Sequence, residues 1–569
     1  MVPAVFLAAL AMLIASCAPA AQPAPAAPAP SAPAPSAPAP SSPRPAAPQP
    51  SAPAPSAPSP SAPAATATPG PRAGGVLTMV VANDPASFDL HQDTIPANII
   101  ANPAYNRVVQ YSPVNGMDIV PDLAESWSVS KDGLTYTFKV RQGVKFHNGA
   151  PLTADDIAFT LQRVTTPPKG LTSVISSFVA PATEKIEVVD ASTVQVKLKF
   201  PFAPLLSAYA MDTVPVYSKA WVQDKGDMKT TIMGTGPFKY KFFTPSVSAA
   251  MERNPDYWVK GRPYLDGTQV FIVKDANTRV AALRTGKARM GARGTSALSP
   301  SQMETIKKEV PQAQIFPIAS SLGSAAFFNT RVAPLSDVRV RKAFHLAIDR
   351  QAAIKVVAEG AGTPSRFFPL EGWGIPEKEL LTMPGFRADK SADIAEAKKL
   401  LADAGFPNGL SLTLYSRQNQ ATRNSAIFMT DQLTAVGIQA KVEVLEDTVF
   451  WDKGYTKSFQ VMVFTPAALI ADPVWFGRYY FPGGSFNFTG NEADKKLSDM
   501  WTKQAQILDP TERHAVIRAV DEYAWNESVS SVPLVIFNTF VVAWPEVKGL
   551  VRGATDYATN NLQEIWLAQ

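Results

Sequence analysis

Residues 124–157 read AESWSVSKDGLTYTFKVRQGVKFHNGAPLTADDI. Leu134, Tyr136, Phe138 and Val140 alternate with Thr135, Thr137 and Lys139, the period of a strand with one face in a core. Asp132-Gly133 is a hairpin-type turn ahead of that strand. His147-Asn148-Gly149 is a second turn, and Thr153 behind it has the chemistry of a helix N-cap. Asp156 follows three residues later, with Ile157, Leu161 and Val164 on one helical face. The stretch is a strand pair running into a capped helix.

The same mixture continues on both sides. Ile186, Val188, Val194, Val196 and Leu198 alternate around Asp190-Ala191-Ser192, which predicts another hairpin. Ser336 or Asp337 opens a helix whose inner face is Val340, Phe344, Ala347 and Ile348. Ile394, Ala397, Leu400, Leu401 and Ala404 mark a third helix, closed by Gly405. A strand at Leu410–Leu414, a helical pattern at 426–436 and a strand at 438–444 follow. That β-α-β order implies a sheet covered by helices. The earlier half is richer in strands and turns, and no internal repeat is visible.

The N-terminal end has a different character. Residues 4–16 (AVFLAALAMLIAS) are apolar or small and precede Cys17, the only cysteine. The run is shorter than the roughly 20 residues of a membrane-spanning helix and suits the core of an export signal. Leu13-Ile14-Ala15-Ser16-Cys17 resembles the bacterial lipobox, whose cysteine is acylated. No Lys or Arg precedes the apolar run, a departure from the usual pattern. Residues 18–73 are almost entirely Pro, Ala and Ser. They cannot form a packed core, and read as an extended tether at about 3.1 Å per residue, reaching on the order of 100 Å. The expected location is therefore extracytoplasmic, lipid-anchored to a membrane through Cys17.

One cysteine cannot form a disulfide within the chain, so the body must be held by its core alone. A remainder of about 500 residues is long enough for that and suggests two or three domains. The 53 Lys and Arg nearly balance 48 Asp and Glu, for a net charge of +5. No basic block or basic-aromatic stripe points to nucleic acid.

The opening stretch closely resembles the signature of the family 5 extracytoplasmic solute-binding proteins of ABC importers, the peptide/opine/nickel class. Further matches come in the family's order: Gly234-Thr235-Gly236-Pro237-Phe238, Glu252-Arg253-Asn254-Pro255-Asp256-Tyr257-Trp258, Phe328-Asn329-Thr330, and Asp337 through Ala343. Residues 397–406 (AKKLLADAGF) and 432–438 (QLTAVGI) complete the set. The resemblance implies an α/β, two-lobed clam-shell of the periplasmic-binding-protein type (type II), with an extra subdomain in the first lobe. It places the first lobe at 74–275 plus 536–569 and the second at 276–535. Two connecting strands form the hinge, a solute lies between the lobes, and the closed form meets ABC permease subunits. A monomer without cofactor is expected.

Peptide-binding members hold the α-amino group with a carboxylate four residues before a loop proline. The matching loop here is residues 465–473 (TPAALIADP), and that position is Leu469. A leucine cannot pair with an ammonium, and burying an unpaired amine costs several kcal/mol. Asp472 remains in the loop, as a ligand contact or as a turn carboxylate. Arg417 stands near the place where such members carry a carboxylate-binding arginine, and its guanidinium offers a bidentate fork. Gln418, Asn419 and Gln420 add neutral hydrogen-bonding groups. Trp475 and Phe486, with Phe476, Tyr479, Tyr480, Phe481 and Phe488, can stack on a ligand or pack a core. Ser320, Ser321, Ser324, Pro466, Asp93 and Asn98 complete the expected ligand-binding set.

The four histidines, His91, His147, His345 and His514, are poor material for a metal site, and none is expected. The chain has no Gly-x-Ser-x-Gly, His-Glu-x-x-His or P-loop, and no catalytic residues are expected. Alternatives to peptide import are a ligand sensor, or a carrier of oligosaccharide or metal chelate.

Overall fold

The computed structural model describes residues 70–92, 96–116, 118–225, 228–291, 298–318, 322–370, 372–551 and 562–568. The signal segment with Cys17 and nearly all of the tether lie outside the described residues. Among the described residues no helix is long and apolar enough to cross a membrane.

The 124–157 stretch folds as its pattern dictates. Ala124–Val129 and Thr135–Val140 pair antiparallel, with Val129 opposite Tyr136 and Trp127 opposite Phe138. Gly133 takes φ +72° in the turn, a conformation that an L side chain resists. The Asp132 carboxylate accepts from Leu134 N at 3.0 Å and from Ser130 Oγ at 2.5 Å, which closes the turn. Tyr136, Phe138 and Val140 are buried. The helix Ala154–Thr165 follows; the Asp156 carboxylate accepts from Thr153 N (2.9 Å) and Thr153 Oγ1 (2.7 Å). Thr193–Leu198 and then Thr183–Asp190 extend the pair to a four-stranded sheet. Its connecting turn is held by Ser192 N donating to Asp190 Oδ1 at 2.8 Å.

Two larger sheets organise the rest. The first has seven strands in the spatial order Gln314–Ile318, Thr539–Ala543, Met290–Gly291, Val76–Val81, Gly267–Ile272, Ser248–Arg253 and Phe238–Thr244. The second has six: Gly362–Pro364, Ser531–Phe537, Gly323–Phe328, Val461–Phe464, Leu410–Arg417 and Ile438–Leu445. Its central strands Gly323–Phe328 and Val461–Phe464 are buried along their whole length, as strands covered on both faces are. The helix Val338–Ala347 lies over one face, capped by Asp337, whose Oδ1 accepts from Arg339 N at 2.8 Å. Phe344 of that helix packs edge-on to Phe328, ring centroids 4.9 Å apart. The pair Leu410–Arg417 and Ile438–Leu445 is parallel, joined by the helix Gln420–Thr434.

The chain crosses between the large sheets twice. It leaves the first after Ile318 and enters the second at Gly323; it leaves the second after Phe537 and re-enters the first at Thr539. The expected change of lobe at 276 therefore falls among elements of the first sheet, since both Met290–Gly291 and Gln314–Ile318 pair within it. Gln314–Ile318 gains its place through Thr539–Ala543, a partner more than two hundred residues away that local periodicity does not reveal. The described residues after Thr539 stay with the first sheet: Tyr257 Oη donates to Gln563 Oε1 at 2.7 Å and Arg262 pairs with Glu564 at 2.7 Å.

Candidate ligand-binding site

The pairings fix which ends of the strands face the crossovers. In the first sheet Val76–Val81 runs parallel to Gly267–Ile272 and Met290–Gly291, while Ile318 lies opposite Thr539. In the second, Leu410–Arg417 is parallel to Ile438–Leu445 and Val461–Phe464, and Gly323 lies opposite Ile536. Both sheets thus turn the carboxyl ends of their parallel strands toward the crossovers, where ligands of α/β sheets are bound. The loop after Phe464 and the end of Leu410–Arg417 occupy that edge. Gly323 N donates to Pro466 O at 3.0 Å and joins the crossover to this loop. Ser324, one residue on, is fully buried beside a register shift, and its Oγ has no hydrogen-bond partner among the described residues.

The loop 465–473 is held from several directions. Ala467 O accepts from Trp475 Nε1 at 2.6 Å and from Tyr479 Oη at 3.4 Å. Ala471 N donates to the hydroxyl of Tyr111, from the strand Val109–Tyr111, at 3.3 Å. Leu469 is buried. Asp472 is also buried, and both of its oxygens accept from Arg513, at 2.6 Å each. Asp472 Oδ1 additionally accepts from Val474 N at 2.9 Å, at the start of the helix Val474–Tyr480. The carboxylate is thereby engaged by the protein itself.

Arg417 sits at the end of its strand, facing Asp447. Nε meets Asp447 Oδ1 at 2.8 Å, and Nη2 forms a shorter contact with Oδ2. The guanidinium holds the Asp447 carboxyl below its usual range, and stacks over Trp451 at 5.4 Å. Gln418 Nε2 donates to Glu446 Oε1 at 2.6 Å. Asn419 caps the following helix by accepting from Thr422 N at 3.0 Å. Asp93, Ser320 and Ser321 lie outside the described residues; Asn98 falls in the helix Pro96–Ala101.

Trp475, Phe476, Tyr480, Phe481 and Phe488 are buried, which makes them core. Tyr480 and Phe464 stack on either side of Phe327, with centroids at 5.3 and 4.1 Å. Tyr479 and Phe486 remain partly exposed and stack at 5.9 Å, and Phe486 meets Trp451 edge-on at 5.3 Å. A cavity of about 250 Å³ opens beside them. Phe178, Phe202, Arg478, Trp501 and Gln504 are among its lining residues. Sequence reasoning passed over Arg478 and Trp451. The available signal for the first was a lone cation inside residues 475–481 (WFGRYYF) with no acid among them.

The histidines take structural positions. His91 Nδ1 accepts from Arg163 Nη1 at 2.7 Å while Nε2 donates to Pro215 O at 2.9 Å; an arginine can only donate and a carbonyl only accept, so the tautomer is fixed. Burial, with Arg163 alongside, pushes His91 down to about 3. Burial pushes His147 down to about 4, and His147 Nε2 meets Gly236 O at 3.0 Å. His345 Nε2 meets Pro384 O at 3.1 Å, and His514 lies 3.9 Å from the Trp373 ring. Among the described residues no three His, Cys, Asp or Glu gather as metal ligands.

Two sheets joined by two crossovers, with their carboxyl-end loops turned to a common side, define a two-lobed α/β binding protein of the periplasmic type. The chain belongs to the bacterial extracellular solute-binding proteins, family 5, whose middle-region profile matches residues 118–488. It is 28% identical over 427 residues to the glutathione-binding protein GsiB of Escherichia coli (strain K12), covering 73% of this chain and 80% of that one. The ABC transporter-associated periplasmic binding protein DppA from Helicobacter pylori, solved with the peptide STSA, superposes with a TM-score of 0.71 at 26% identity, over 88% of this chain and 99% of DppA. AgaA of A. tumefaciens R10, solved with agropinic acid, gives 0.69 at 26% identity, over 87% and 99%.

Proposed function

We propose that this chain captures a small, peptide-like solute bearing a carboxylate, and delivers it to an ABC permease from a lipid anchor at Cys17. The observation that carries the reading is the shared edge: the loops after Phe464 and Arg417 open at the crossovers between the sheets. Movement of one sheet relative to the other would change the spacing of the lobes, and a solute that contacts both lobes favours their approach. Glutathione, the peptide STSA and agropinic acid, bound by three similar proteins, all carry carboxylates. The buried Leu469 offers no charge to a ligand's α-amine, which favours recognition through the acid end or through neutral groups. Ser324, Pro466, Arg417, Gln418 and Phe486 form the proposed second-lobe face, and Asp93 and Asn98 the first-lobe face.

Mass spectrometry of solute released from gently purified protein tests the capture. The identified solute at one hundred times its dissociation constant stabilises the fold by about 2.7 kcal/mol. Failure of any cell extract, or of glutathione, short peptides and opine-type acids, to raise the unfolding temperature refutes the reading. Fatty-acid labelling of the full chain, abolished by Cys17→Ser, tests the anchor.

A further inference from the structure

The aromatic helix Val474–Tyr480 carries one cation, Arg478, on the wall of the 250 Å³ cavity. Its guanidinium carbon lies 4.5 Å from the Trp475 ring, 4.8 Å from Phe486, 5.8 Å from Tyr479 and 5.9 Å from Phe178. Rings engage the faces of a guanidinium and leave its in-plane N–H donors open. Arg478 Nε is buried with no hydrogen-bond partner among the described residues. The ionisable groups that act on it are the phenols of Tyr479 and Tyr455, not a carboxylate. The arginines that are buried as whole residues are engaged by the protein: Arg279, whose Nε is likewise without a partner, donates through Nη1 to Val273 O and Lys274 O. Arg107, Arg163 and Arg513 each face a carboxylate, and Arg341 and Arg350 are bonded by backbone carbonyls. Gln504, beside the cavity, is fully buried and its Nε2 has no partner among the described residues.

We propose that the cavity lined by Phe202, Trp501 and Arg478 is an anion subsite, which takes the carboxylate of the solute on the Arg478 guanidinium and its apolar neighbour against the lining rings. An acceptor-only group satisfies the in-plane donors of the guanidinium, and a carboxylate does so with charge. The two walls come from different parts of the chain: the helix Ser176–Ala182 beside the four-stranded sheet, and the helix after Asp472 in the second lobe. The inference rests on the solute-capture reading and names the acid group which that reading leaves without a receptor.

The test uses the full chain with phenylacetate and its neutral analogue phenylacetamide, by calorimetric titration. The acid is expected to bind about ten-fold or more tighter than the amide. Arg478→Gln should erase that preference, and Arg478→Lys should restore part of it. Arg478→Gln also removes the stacking of the cation on its four rings, so the unliganded unfolding midpoint serves only to show that the variant folds. Equal binding of acid and amide, or an acid preference that survives Arg478→Gln, would overturn the subsite. The solute recovered from cells separates the two readings. If it binds native and Arg478→Gln protein alike, capture stands and the subsite falls. If no solute is recovered but the acid preference vanishes in Arg478→Gln, the subsite stands and capture falls.

Discussion

Replacing Asp472 by Ala tests whether the one acid retained in the loop 465–473 is a clamp or a ligand group. The Asp472 and Arg513 side chains are 4% and 6% exposed and meet through two bonds of 2.6 Å. Charge-assisted bonds contribute about 1.5–3 kcal/mol each, and breaking a buried pair costs about 3–5 kcal/mol because one charge is left behind. Arg513 keeps some partners: Gln504 Oε1 at 3.0 Å and the Trp373 ring at 5.1 Å. That places Asp472→Ala near the lower end, about 3 kcal/mol, plus about 1 kcal/mol for the lost acceptor of Val474 N. Asp472→Leu with Arg513→Met removes both charges and should recover most of the loss. Urea unfolding of the native, two single and double variants, followed by tryptophan fluorescence, gives the coupling energy. A coupling below about 0.5 kcal/mol, or an Asp472→Asn variant of native stability that no longer binds solute, would refute the clamp and make Asp472 a ligand residue.

Burial holds the Asp521 carboxyl up at about 7, its Oδ2 accepting from Ile375 N at 2.8 Å. The folded chain then keeps a proton that the unfolded chain releases near 4, so folding stability falls as pH rises from about 4 to about 7; Asp521→Asn should flatten that decline, and parallel pH–stability curves for the two proteins would contradict it. Gly477 has the Trp501 ring where a Cβ would stand. Gly477→Ala should therefore cost about 1–3 kcal/mol in thermal unfolding; a native midpoint would show that the ring moves freely. The Arg417–Asp447 pair is partly exposed, with side chains 26% and 56% accessible. Arg417→Ala should change stability by less than about 1 kcal/mol while weakening solute affinity, and unchanged affinity strikes Arg417 from the site.

What was legible in the sequence was local. The turn at Asp132-Gly133 and the helix behind Thr153 are set by residues within five positions of each other, and both form where the pattern puts them. The helix capped by Asp337 and the β-α-β unit from Leu410 to Leu445 obey the same logic. Partners far apart in the chain decided the rest. Asp472 is engaged by Arg513, 41 residues later, and no motif announces that pairing. Gln314–Ile318 reads as an ordinary strand, and only Thr539–Ala543 assigns it to the first sheet. The aromatic run from Trp475 to Phe488 looked like one feature, yet burial divides it into core rings and the two partly exposed rings, Tyr479 and Phe486. Arg417 carried the expected chemistry but has its own carboxylate, whereas Arg478 was inconspicuous and has none nearby.

The contrast between these two arginines bears on how capture can couple to lobe movement. A ligand carboxylate at Arg417 would compete with Asp447, and its gain would be the difference between two similar ion pairs. At Arg478 it would meet a desolvated cation with open donors, where a charged bond is strongest. The helix that bears Arg478 is anchored through Tyr480 on Phe327, in the strand that begins at the first crossover. Phe178 and Phe202, also in the lining, adjoin the four-stranded sheet in sequence, and Ala203 N reaches Ala505 O at 2.8 Å beside them. A solute seated there would touch both walls when they meet and only one when they part. That difference in contact is the free energy with which a ligand shifts a two-lobed protein toward closure. It is available at this cavity because its walls belong to elements on either side of the crossovers.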